Sequence, residues 1–358
     1  MPRQKNKSED VYARLRERVL QAEPGTRIPS VRELMREHGV SQGPVDQALR
    51  RLHHQHLLEA RVGSGTFVAR PPSAASADKH RVDLYLSNYP SLTVNWLRQG
   101  MQAGLAGTEF ECAVHYFRYD RPVCQIGLDA DREIAVIWPD QVTLSVADIT
   151  FLSAMARQVI VLNLPMHSLP LSSICGDDDL GGALAAKHLA DLGHRKMAML
   201  VTQPADHPTI AIRSAGFLKQ AKLMDVAAEI IDCGTHGGEA PTPNAYARMQ
   251  NLLRAGRPAF TGLFVDTDTT VPAVYKAITE SGLRIPHDLS VIGYDGIPEG
   301  EYYQPPLTTI GQDYRVWAQD TIRLLRHRLA APQPPPPAHA RMAPLLVTRA
   351  STAAPAAG

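Results

Sequence analysis

The sequence has no hydrophobic run long enough to cross a membrane. A spanning helix needs about 20 apolar residues, and no run approaching that length occurs among the 358 residues. Residues 1–10 are polar, so they lack the apolar core of an export signal. We therefore expect a protein that makes no membrane contact and works in the cytoplasm.

Cysteine is also scarce, with four residues in the whole chain. They lie far apart and form neither a CxxC pair nor a regular pattern: Cys112, Cys124, Cys175 and Cys233. This spacing predicts reduced thiols, and it argues against a disulfide-stapled scaffold and against a zinc ribbon.

Two other polar clusters have the composition of metal ligands without their arrangement. His53, His54 and His56 are neighbours on a predicted helix, where side chains at this spacing splay apart. The acidic run 177–179 precedes Gly181 and a predicted helix, where acidic residues favour the positive end of the helix dipole. We predict no metal ion and no cofactor.

The positive charge of the chain is concentrated near its start. Residues 1–80 hold 14 Lys or Arg against 9 Asp or Glu, whereas the whole chain carries only +1. The remainder is therefore mildly acidic. A small basic segment on an acidic body is typical of a nucleic-acid binder with a separate sensing module.

Three short helices are predicted within the first 55 residues. Apolar residues recur on one face of the first, which covers roughly residues 10–21. The second begins at Ser30, because Ser30 and Glu33 form a capping box, and it ends at Gly39, which tolerates a left-handed conformation. Ser41 caps the third helix.

A hairpin follows these helices. The stretch "LLEARVGSGTFVA" contains two short extended runs around a Gly-Ser-Gly turn. Three helices and a hairpin predict a winged helix-turn-helix over residues 1–69. Residues 70–81 are rich in Pro, Ala and Ser and lack periodicity, which indicates a linker.

Residues 82–350 alternate apolar β runs with helical patterns. Continuous apolar strands such as "AVIW" and "VIVLNL" predict parallel sheets that helices cover on both faces. The segment is too long for one comfortable sheet, so we expect an α/β domain with two similar lobes. The stretch "RMAPLLVTRAST" predicts a last strand, and residues 351–358 are predicted to be a disordered tail.

Motifs in both parts resemble known bacterial regulators. "RIPSVREL", "HGVSQGPVDQALRRL" and "GSGTFV" occur in the order and spacing of the GntR family of winged-helix regulators. "DDDLGGALAAKHLADLGHRKMAML", "RSAGF", "GLRIPHDLSVIGYDG" and "PPLTTIGQD" resemble the core of LacI/GalR regulators, itself similar to periplasmic sugar-binding proteins. The combination is similar to the arabinose-repressor class. It implies a two-lobed, periplasmic-binding-protein-like domain for effector binding and dimerisation over residues 82–350.

The resemblance to GntR regulators implies which residues contact DNA. They are Ser30, Arg32, Ser41, Gln42, Pro44, Gln47, Arg61, Gly63 and Ser64. The sequence departs from the family at Gln42, Pro44 and Asp46, where Arg, Thr and a basic residue are usual. Gln42 and Gln47 suit adenine edges, and Asp46 repels phosphate but can accept from a cytosine amine. We therefore expect an operator that differs from that of a typical relative.

The resemblance to LacI/GalR regulators implies that Arg213 and Asp295 bind the effector and that Asp268 takes a ligand-contacting position in the second lobe. A carboxylate can accept from adjacent sugar hydroxyls, and a guanidinium can donate to them. Structural alternatives stay open, namely a surface ion pair for Arg213 and a helix cap for Asp268.

Aromatic platforms for a sugar ring are also expected. Tyr89 and Trp138 follow predicted strands and are the candidates, with Asn88 beside them. Ligands of open α/β sheets bind at the carboxyl ends of strands, which is where these residues fall.

The resemblance implies a sequence-specific transcriptional regulator, a repressor by family habit. A small carbohydrate bound between two lobes would control its affinity for double-stranded operator DNA, and a homodimer would place two heads on two half-sites. The alternative is a cytoplasmic enzyme that processes a sugar or nucleotide in the interlobe cleft. No phosphate loop, acid–base pair or nucleophile arrangement is visible, so we do not expect an enzyme.

Overall fold

The computed structural model describes most of the chain. The described residues are 11–12, 14–16, 18–19, 22, 25–54, 58–61, 65–68, 80–88, 92–118, 121–126, 134–139, 144–155, 159–167, 169–331 and 335–356. The chain divides into two compact units, residues 1–79 and residues 80–358, which we name the head and the body. The first strand of the body begins at His80, inside the predicted linker, and residues 70–79 lie outside the described residues.

The head has the predicted winged helix-turn-helix elements. Its elements are the helices α1 (Val31–His38) and α2 (Gln42–His54) and the strands β1 (Leu58–Arg61) and β2 (Gly65–Val68). The positions described between residues 11 and 19 are also helical. β1 and β2 pair antiparallel, with Leu58 opposite Val68 and Arg61 opposite Gly65. The predicted fold class of the head is confirmed.

The ends of α1 follow from its sequence. The Glu33 carboxylate accepts from the Ser30 N–H at 2.7 Å, and the Ser30 hydroxyl accepts from the Glu33 N–H at 3.4 Å. Gly39 ends the helix with φ 62°, and its N–H bonds to the carbonyl of Met35. The apolar faces of both helices pack into one core with the hairpin, which includes Leu34, Val45, Ala48, Leu52, Leu58 and Val68.

The body is built from alternating strands and helices. In chain order its strands are β3 (His80–Ser87), β4 (Phe110–Phe117), β5 (Ile134–Trp138), β6 (Val159–Leu162), β7 (Ser172–Gly176), β8 (Lys196–Val201), β9 (Ala227–Asp232), β10 (Gly262–Val265), β11 (Ser290–Asp295), β12 (Thr308–Gly311), β13 (His339–Met342) and β14 (Leu345–Val347). Its helices are α3 (Leu92–Leu105), α4 (Val146–Met155), α5 (Asp178–Asp191), α6 (Pro208–Leu223), α7 (Pro241–Arg254), α8 (Val271–Glu280) and α9 (Tyr314–Ala330).

These strands form two six-stranded sheets within the described residues. The sheet of lobe 1 has the order β13-β7-β6-β5-β3-β4, and all its pairs are parallel. The sheet of lobe 2 has the order β14-β12-β11-β10-β8-β9, and there β14 alone runs antiparallel to its neighbour. The predicted two-lobed parallel α/β domain is confirmed.

The chain passes between the lobes at three points in the described residues. It leaves lobe 1 after β7, returns after β12, and enters lobe 2 again between β13 and β14. Lobes that short segments connect in this way can close by a hinge motion. The carboxyl ends of several strands in each lobe reach the cleft between them, as expected for an open α/β sheet.

Burial on both faces explains the continuous apolar strands. Every residue of β5 is buried. On one face Val136 packs with Trp317 of α9, and on the other Ile137 packs with Leu152 of α4. Within the described ranges, no helix combines the length and the apolarity that a bilayer crossing requires.

Two glycines let α5 and α6 pack in backbone contact. A Cβ atom at Gly182 would lie 2.0 Å from the carbonyl oxygen of Arg213, and one at Gly216 would lie 2.1 Å from that of Asp179. Real Cβ atoms never come so close to backbone, so any larger residue would force the helices apart. The contact fixes the distance between the N-terminal halves of the two helices.

The sequence prediction missed several elements, among them strands at the edges of the sheets. β4 and β9 each lie at one edge of their sheet, and most of their residues are half-buried or exposed, so they lack the continuous apolar pattern of β5. α7 was missed because its "PTPN" start resembles a loop, although Pro is accepted in a first helical turn. The remaining strands missed were β7, β12 and β13.

The predicted disordered tail over 351–358 is wrong for residues 351–356, which pack against lobe 2. Ser351 is fully buried, and its hydroxyl donates to the Val291 carbonyl at 2.6 Å and accepts from the Thr308 N–H at 2.8 Å. The Ala353 carbonyl accepts from the Ser290 hydroxyl at 3.0 Å. Small residues gave no hydrophobic signal, so hydrogen bonds to the first residues of β11 and β12 could not be foreseen.

We expect Ser351→Ala to lower the free energy of unfolding by about 1–3 kcal/mol, because it leaves a buried N–H and a buried carbonyl without their hydroxyl partner. Urea unfolding of the full-length protein measures the change. Ser153→Ala removes a hydroxyl from an exposed helical position and should change stability by less than about 0.5 kcal/mol. Equal effects of the two substitutions would contradict the prediction.

Candidate ligand cleft and nucleic-acid interface

A cleft of about 310 Å³ lies between the two lobes of the body. Lobe 1 contributes Thr93 at the start of α3, Trp138 at the end of β5 and Asn163 after β6. Lobe 2 contributes Gln203, Pro204, His207, Thr209, Ile210, Arg213, Ala240, Pro241, Thr242, Asp266, Thr267, Thr269 and Asp295. This volume is at the lower end of the range for small-molecule sites.

Arg213 lies on the cleft, held from behind by lobe 2. Its Nε and Nη2 donate to Oδ1 of Asp178 at 3.1 and 2.7 Å, and Nη1 donates to the backbone carbonyl of Asp266. A guanidinium has five N–H donors. These bonds use three of them, so one N–H on Nη1 and one on Nη2 remain for a ligand.

Asp178 and Tyr294 fix the plane of this guanidinium. The Arg213 Cζ lies 3.3 Å from the centroid of the Tyr294 ring, and the Tyr294 hydroxyl donates to Oδ1 of Asp178 at 2.9 Å. All three side chains are buried. The ion pair of Arg213 is therefore buried beside the cleft, unlike the surface ion pair that the sequence left open.

Asp295 is the last residue of β11 and joins the two lobes. Oδ2 accepts from the Thr93 hydroxyl of lobe 1 at 3.2 Å and from the Thr267 hydroxyl of lobe 2 at 2.7 Å. Oδ1 is the carboxylate oxygen that these bonds leave for a ligand. The backbone of Asp295 has a φ of 110°, which is rare for any residue except glycine. Such backbone strain is concentrated at functional sites.

Burial raises the pKa of Asp295 from 3.8 to about 6, although the nearby Arg213 charge opposes this shift. An acid whose pKa rises on folding stabilises the folded state below its unfolded pKa, and that stability is lost as the pH rises through the folded pKa. We therefore expect Asp295→Asn to gain stability relative to the wild type between about pH 4 and pH 7, by about 2–3 kcal/mol.

Urea unfolding across this pH range checks the prediction. Asp288→Asn is the matched control, because Arg284 hydrogen bonds lower the pKa of Asp288. The control should be less stable than the wild type by an amount that hardly changes between about pH 4 and pH 7, because Asp288 is ionised throughout that range and loses its contribution only at lower pH. A pH-independent difference for Asp295→Asn would contradict the assignment.

Asp268 does not line the cleft, contrary to the sequence prediction. Its side chain is fully buried, and Oδ2 accepts from the N–H groups of Gly296 and Ile297 at 2.8 and 3.1 Å. The Thr309 hydroxyl donates to both of its oxygens. Asp268 thus holds the loop that follows Asp295, and it supports the site without facing it.

The structure confirms only one of the other three predicted cleft residues as lining the cleft. Trp138 lines the cleft, stacks on Trp317 with ring centroids 6.0 Å apart, and has an indole N–H without a partner among the described residues. Asn88 is exposed directly after β3 and does not line the cleft. Tyr89 lies outside the described residues.

Sequence reasoning missed most polar residues of the cleft. Among them are Thr93, Asn163, Gln203, His207, Asp266 and Thr267. Asn163, Gln203 and Asp266 each follow a buried strand by one or two residues, so polar residues directly after apolar runs were the available signal. Within the described residues, no group of His, Cys, Asp or Glu side chains is arranged to hold a metal ion.

The head gathers most of the predicted DNA-contacting residues at the starts of α1 and α2. Ser30, Arg32, Ser41, Gln42 and Gln47 are exposed, and Pro44 is half-buried in the first turn of α2. The Gln42 amide donates to Oδ2 of Asp46 at 3.1 Å. Arg61 is the last residue of β1, whereas Gly63 and Ser64 lie outside the described residues.

Comparison with family models gives one match in each unit. Residues 7–68 match the family of bacterial regulatory proteins, gntR family, and residues 186–352 match the periplasmic binding protein-like domain. Both matches fall on segments whose motifs predicted these resemblances.

Curated relatives match a little under half of the chain. A segment of 175 residues is 36% identical to the HTH-type transcriptional repressor PurR of Mannheimia succiniciproducens, covering 47% of this chain and 51% of that protein. A segment of 161 residues is 35% identical to the lactose operon repressor of Escherichia coli, covering 44% and 42%. The chain therefore spans about half the length of the curated relatives it matches.

Solved structures show the same fold over a longer stretch. A LacI transcriptional regulator from a Rhodococcus species superposes with a TM-score of 0.65 at 23% identity, covering 77% of this chain and 99% of that chain. A LacI family regulator from Enterococcus faecium with bound ribose gives 0.63 at 24% identity, covering 76% and 99%. At this level of identity, the likeness is one of fold.

Proposed function

Because the chain joins a GntR-type winged-helix head to a LacI-type, periplasmic-binding-protein-like body, we propose that it is a transcriptional repressor controlled by a small carbohydrate. The head binds double-stranded operator DNA, and the effector binds in the cleft of the body. The protein acts as a cytoplasmic homodimer, so that two heads engage two half-sites.

The observation that carries the effector proposal is the pairing of open donors and an open acceptor on one cleft. Arg213 offers two N–H groups and Asp295 offers Oδ1, and the Trp138 side chain lines the same cleft. Adjacent sugar hydroxyls can accept from a guanidinium and donate to a carboxylate at the same time. The E. faecium regulator with bound ribose has the same fold, which supports a sugar as the ligand class.

The DNA-binding proposal rests on the exposed first turns of α1 and α2. In a helix-turn-helix the first residues of the second helix reach base edges, and neighbouring residues contact phosphates. Gln42 and Gln47 are exposed on α2, and Arg32 is exposed on α1.

The sugar alters DNA binding through the conformation of the body. A sugar that binds the closed cleft more tightly than the open cleft shifts the equilibrium toward the closed conformation. Only this difference between its two affinities can change the affinity for DNA.

Two measurements on the full-length protein test the proposal. Fluorescence anisotropy with DNA from upstream of the protein's own gene measures operator binding, with a scrambled duplex as competitor. Calorimetry against free pentoses, free hexoses, hypoxanthine and guanine measures the effector class. We expect sequence-specific DNA binding that a free sugar weakens. If only a purine base binds, the proposal of a sugar effector is contradicted. If the protein shows no preference for the upstream DNA over the scrambled duplex, the proposal of a sequence-specific regulator is contradicted.

Matched head variants tie the DNA binding to the proposed surface. Arg32→Ala should weaken binding to all sequences and lower the salt dependence by about one phosphate contact. Arg36→Ala removes the same charge from an exposed position one turn further along α1 and should have a smaller effect. Neither variant should change sugar affinity, and equal losses of DNA binding would contradict the assignment of Arg32.

A further inference from the structure

The charges on the cleft point to a class of effector narrower than carbohydrates in general. Four ionisable side chains line the cleft within the described residues: Arg213, His207, Asp266 and Asp295. No lysine is among them. The carboxylates therefore outnumber the permanent cation before any ligand enters.

The single guanidinium is already neutralised. Asp178 lies behind it, 2.7 Å from Nη2 and 3.1 Å from Nε, and this carboxylate is 4% exposed. A buried Arg without a counterion is the usual partner of a phosphate, because the two groups share parallel hydrogen bonds and opposite charge. Here Asp178 supplies the opposite charge from the protein, so an anionic ligand would add an uncompensated negative charge.

Helix N-termini are the other common phosphate sites, and two of those at this cleft contain prolines. α6 begins with Pro208, and α7 begins with Pro241, Thr242 and Pro243. Phosphate binding at a helix start depends on consecutive backbone N–H groups, and proline has none. Of the six residues in the first three positions of these two helices, three are therefore prolines without a backbone N–H. At the start of α3, the hydroxyl of Thr93 already donates to Asp295.

We propose that the cleft selects uncharged effectors, so that it binds a free neutral sugar and rejects the phosphomonoester of the same sugar. This inference rests on the proposed function, because it concerns the effector of the same cleft. The residues assigned to the discrimination are Asp178, which cancels the charge of Arg213, and Asp266 and Asp295, which repel an anion. The remaining N–H groups of Arg213 and Oδ1 of Asp295 serve hydroxyls, which carry no charge.

Paired ligands test the selectivity on the wild-type protein. Calorimetry compares D-ribose, L-arabinose, D-glucose and D-galactose with ribose 5-phosphate, arabinose 5-phosphate, glucose 6-phosphate and galactose 6-phosphate. For whichever free sugar binds, we expect at least about tenfold weaker binding of its phosphate ester. If the ester binds as tightly as the free sugar or more tightly, the inferred selectivity is wrong, although the proposal of a sugar-controlled regulator still stands. Binding of neither series would overturn the proposed sugar effector itself.

A variant identifies the residue responsible. Asp178→Asn leaves the charge of Arg213 without its ionic partner, so 10 mM inorganic phosphate should raise the unfolding temperature of this variant by about 3 °C or more relative to sodium chloride of equal ionic strength. Asp179→Asn is the matched control, because it removes the same charge from a half-exposed position of the same helix. Wild type and control should not respond.

Two outcomes would overturn the assignment of Asp178. One is an equal phosphate response in all three proteins, and the other is no response in a folded Asp178→Asn variant. Circular dichroism establishes that the variant is folded before the phosphate series. If the variant does not fold, the ligand pairs on the wild type still decide whether the cleft rejects anions.

Discussion

Arg213→Ala is expected to abolish sugar binding and to lower the free energy of unfolding by about 3–5 kcal/mol. The two losses have different origins. Sugar binding is lost because the variant lacks the two N–H groups that the bonds to Asp178 and Asp266 leave for a ligand. Stability is lost because Asp178, which is 4% exposed, keeps a buried charge without its partner. Operator affinity without sugar should be unchanged in the fraction that remains folded.

A double variant separates these effects. Arg213→Met combined with Asp178→Asn removes both charges and retains most of the buried volume, so a large part of the lost stability should return. Sugar affinity should not return. Arg195→Ala, which removes an exposed arginine elsewhere on lobe 2, is the control and should change neither property. Wild-type sugar affinity in the double variant, measured by calorimetry, would show that Arg213 does not contact the effector.

Local chemistry made some features predictable from sequence. The capping box of Ser30 and Glu33 and the helix end at Gly39 depend on residues three to nine positions apart, and the structure has both. The alternation of buried strands and helices likewise predicted parallel sheets covered by helices, and the length of the segment predicted two lobes. Edge strands β4 and β9 could not be predicted in this way, because their half-exposed residues carry no continuous apolar pattern.

The cleft was predictable only as far as strand ends could be recognised. Asp268 follows an apolar strand and Asp295 ends one, yet only Asp295 reaches the cleft, because the Asp268 carboxylate is buried and accepts from the N–H groups of Gly296 and Ile297. The partnership of Asp178 with Arg213 spans 35 positions. The sequence assigned the acidic run 177–179 to the helix start, and the structure has it there: the Asp177 side chain accepts from the Leu180 N–H, and the other two residues lie in the first turn of α5.

Gly216→Ala is expected to have a second large effect, on stability and on sugar binding together. Its Cβ would lie 2.1 Å from the carbonyl oxygen of Asp179, and backbone on α5 cannot yield without moving the helix. We expect a loss of about 3 kcal/mol or more in the free energy of unfolding, at the upper end for overpacked sites. Urea unfolding measures this loss.

The loss of sugar affinity follows from what the two helices carry. Asp178 opens α5 and Arg213 lies on α6, so separating the helices lengthens the 2.7 Å contact that fixes the guanidinium plane. A guanidinium misplaced by about 1 Å no longer aligns its two remaining N–H groups with adjacent hydroxyls. Gly237→Ala is the control, since a Cβ there meets no atom within 4 Å. If Gly216→Ala lost stability but kept wild-type sugar affinity in calorimetry, the ion pair would not position the ligand.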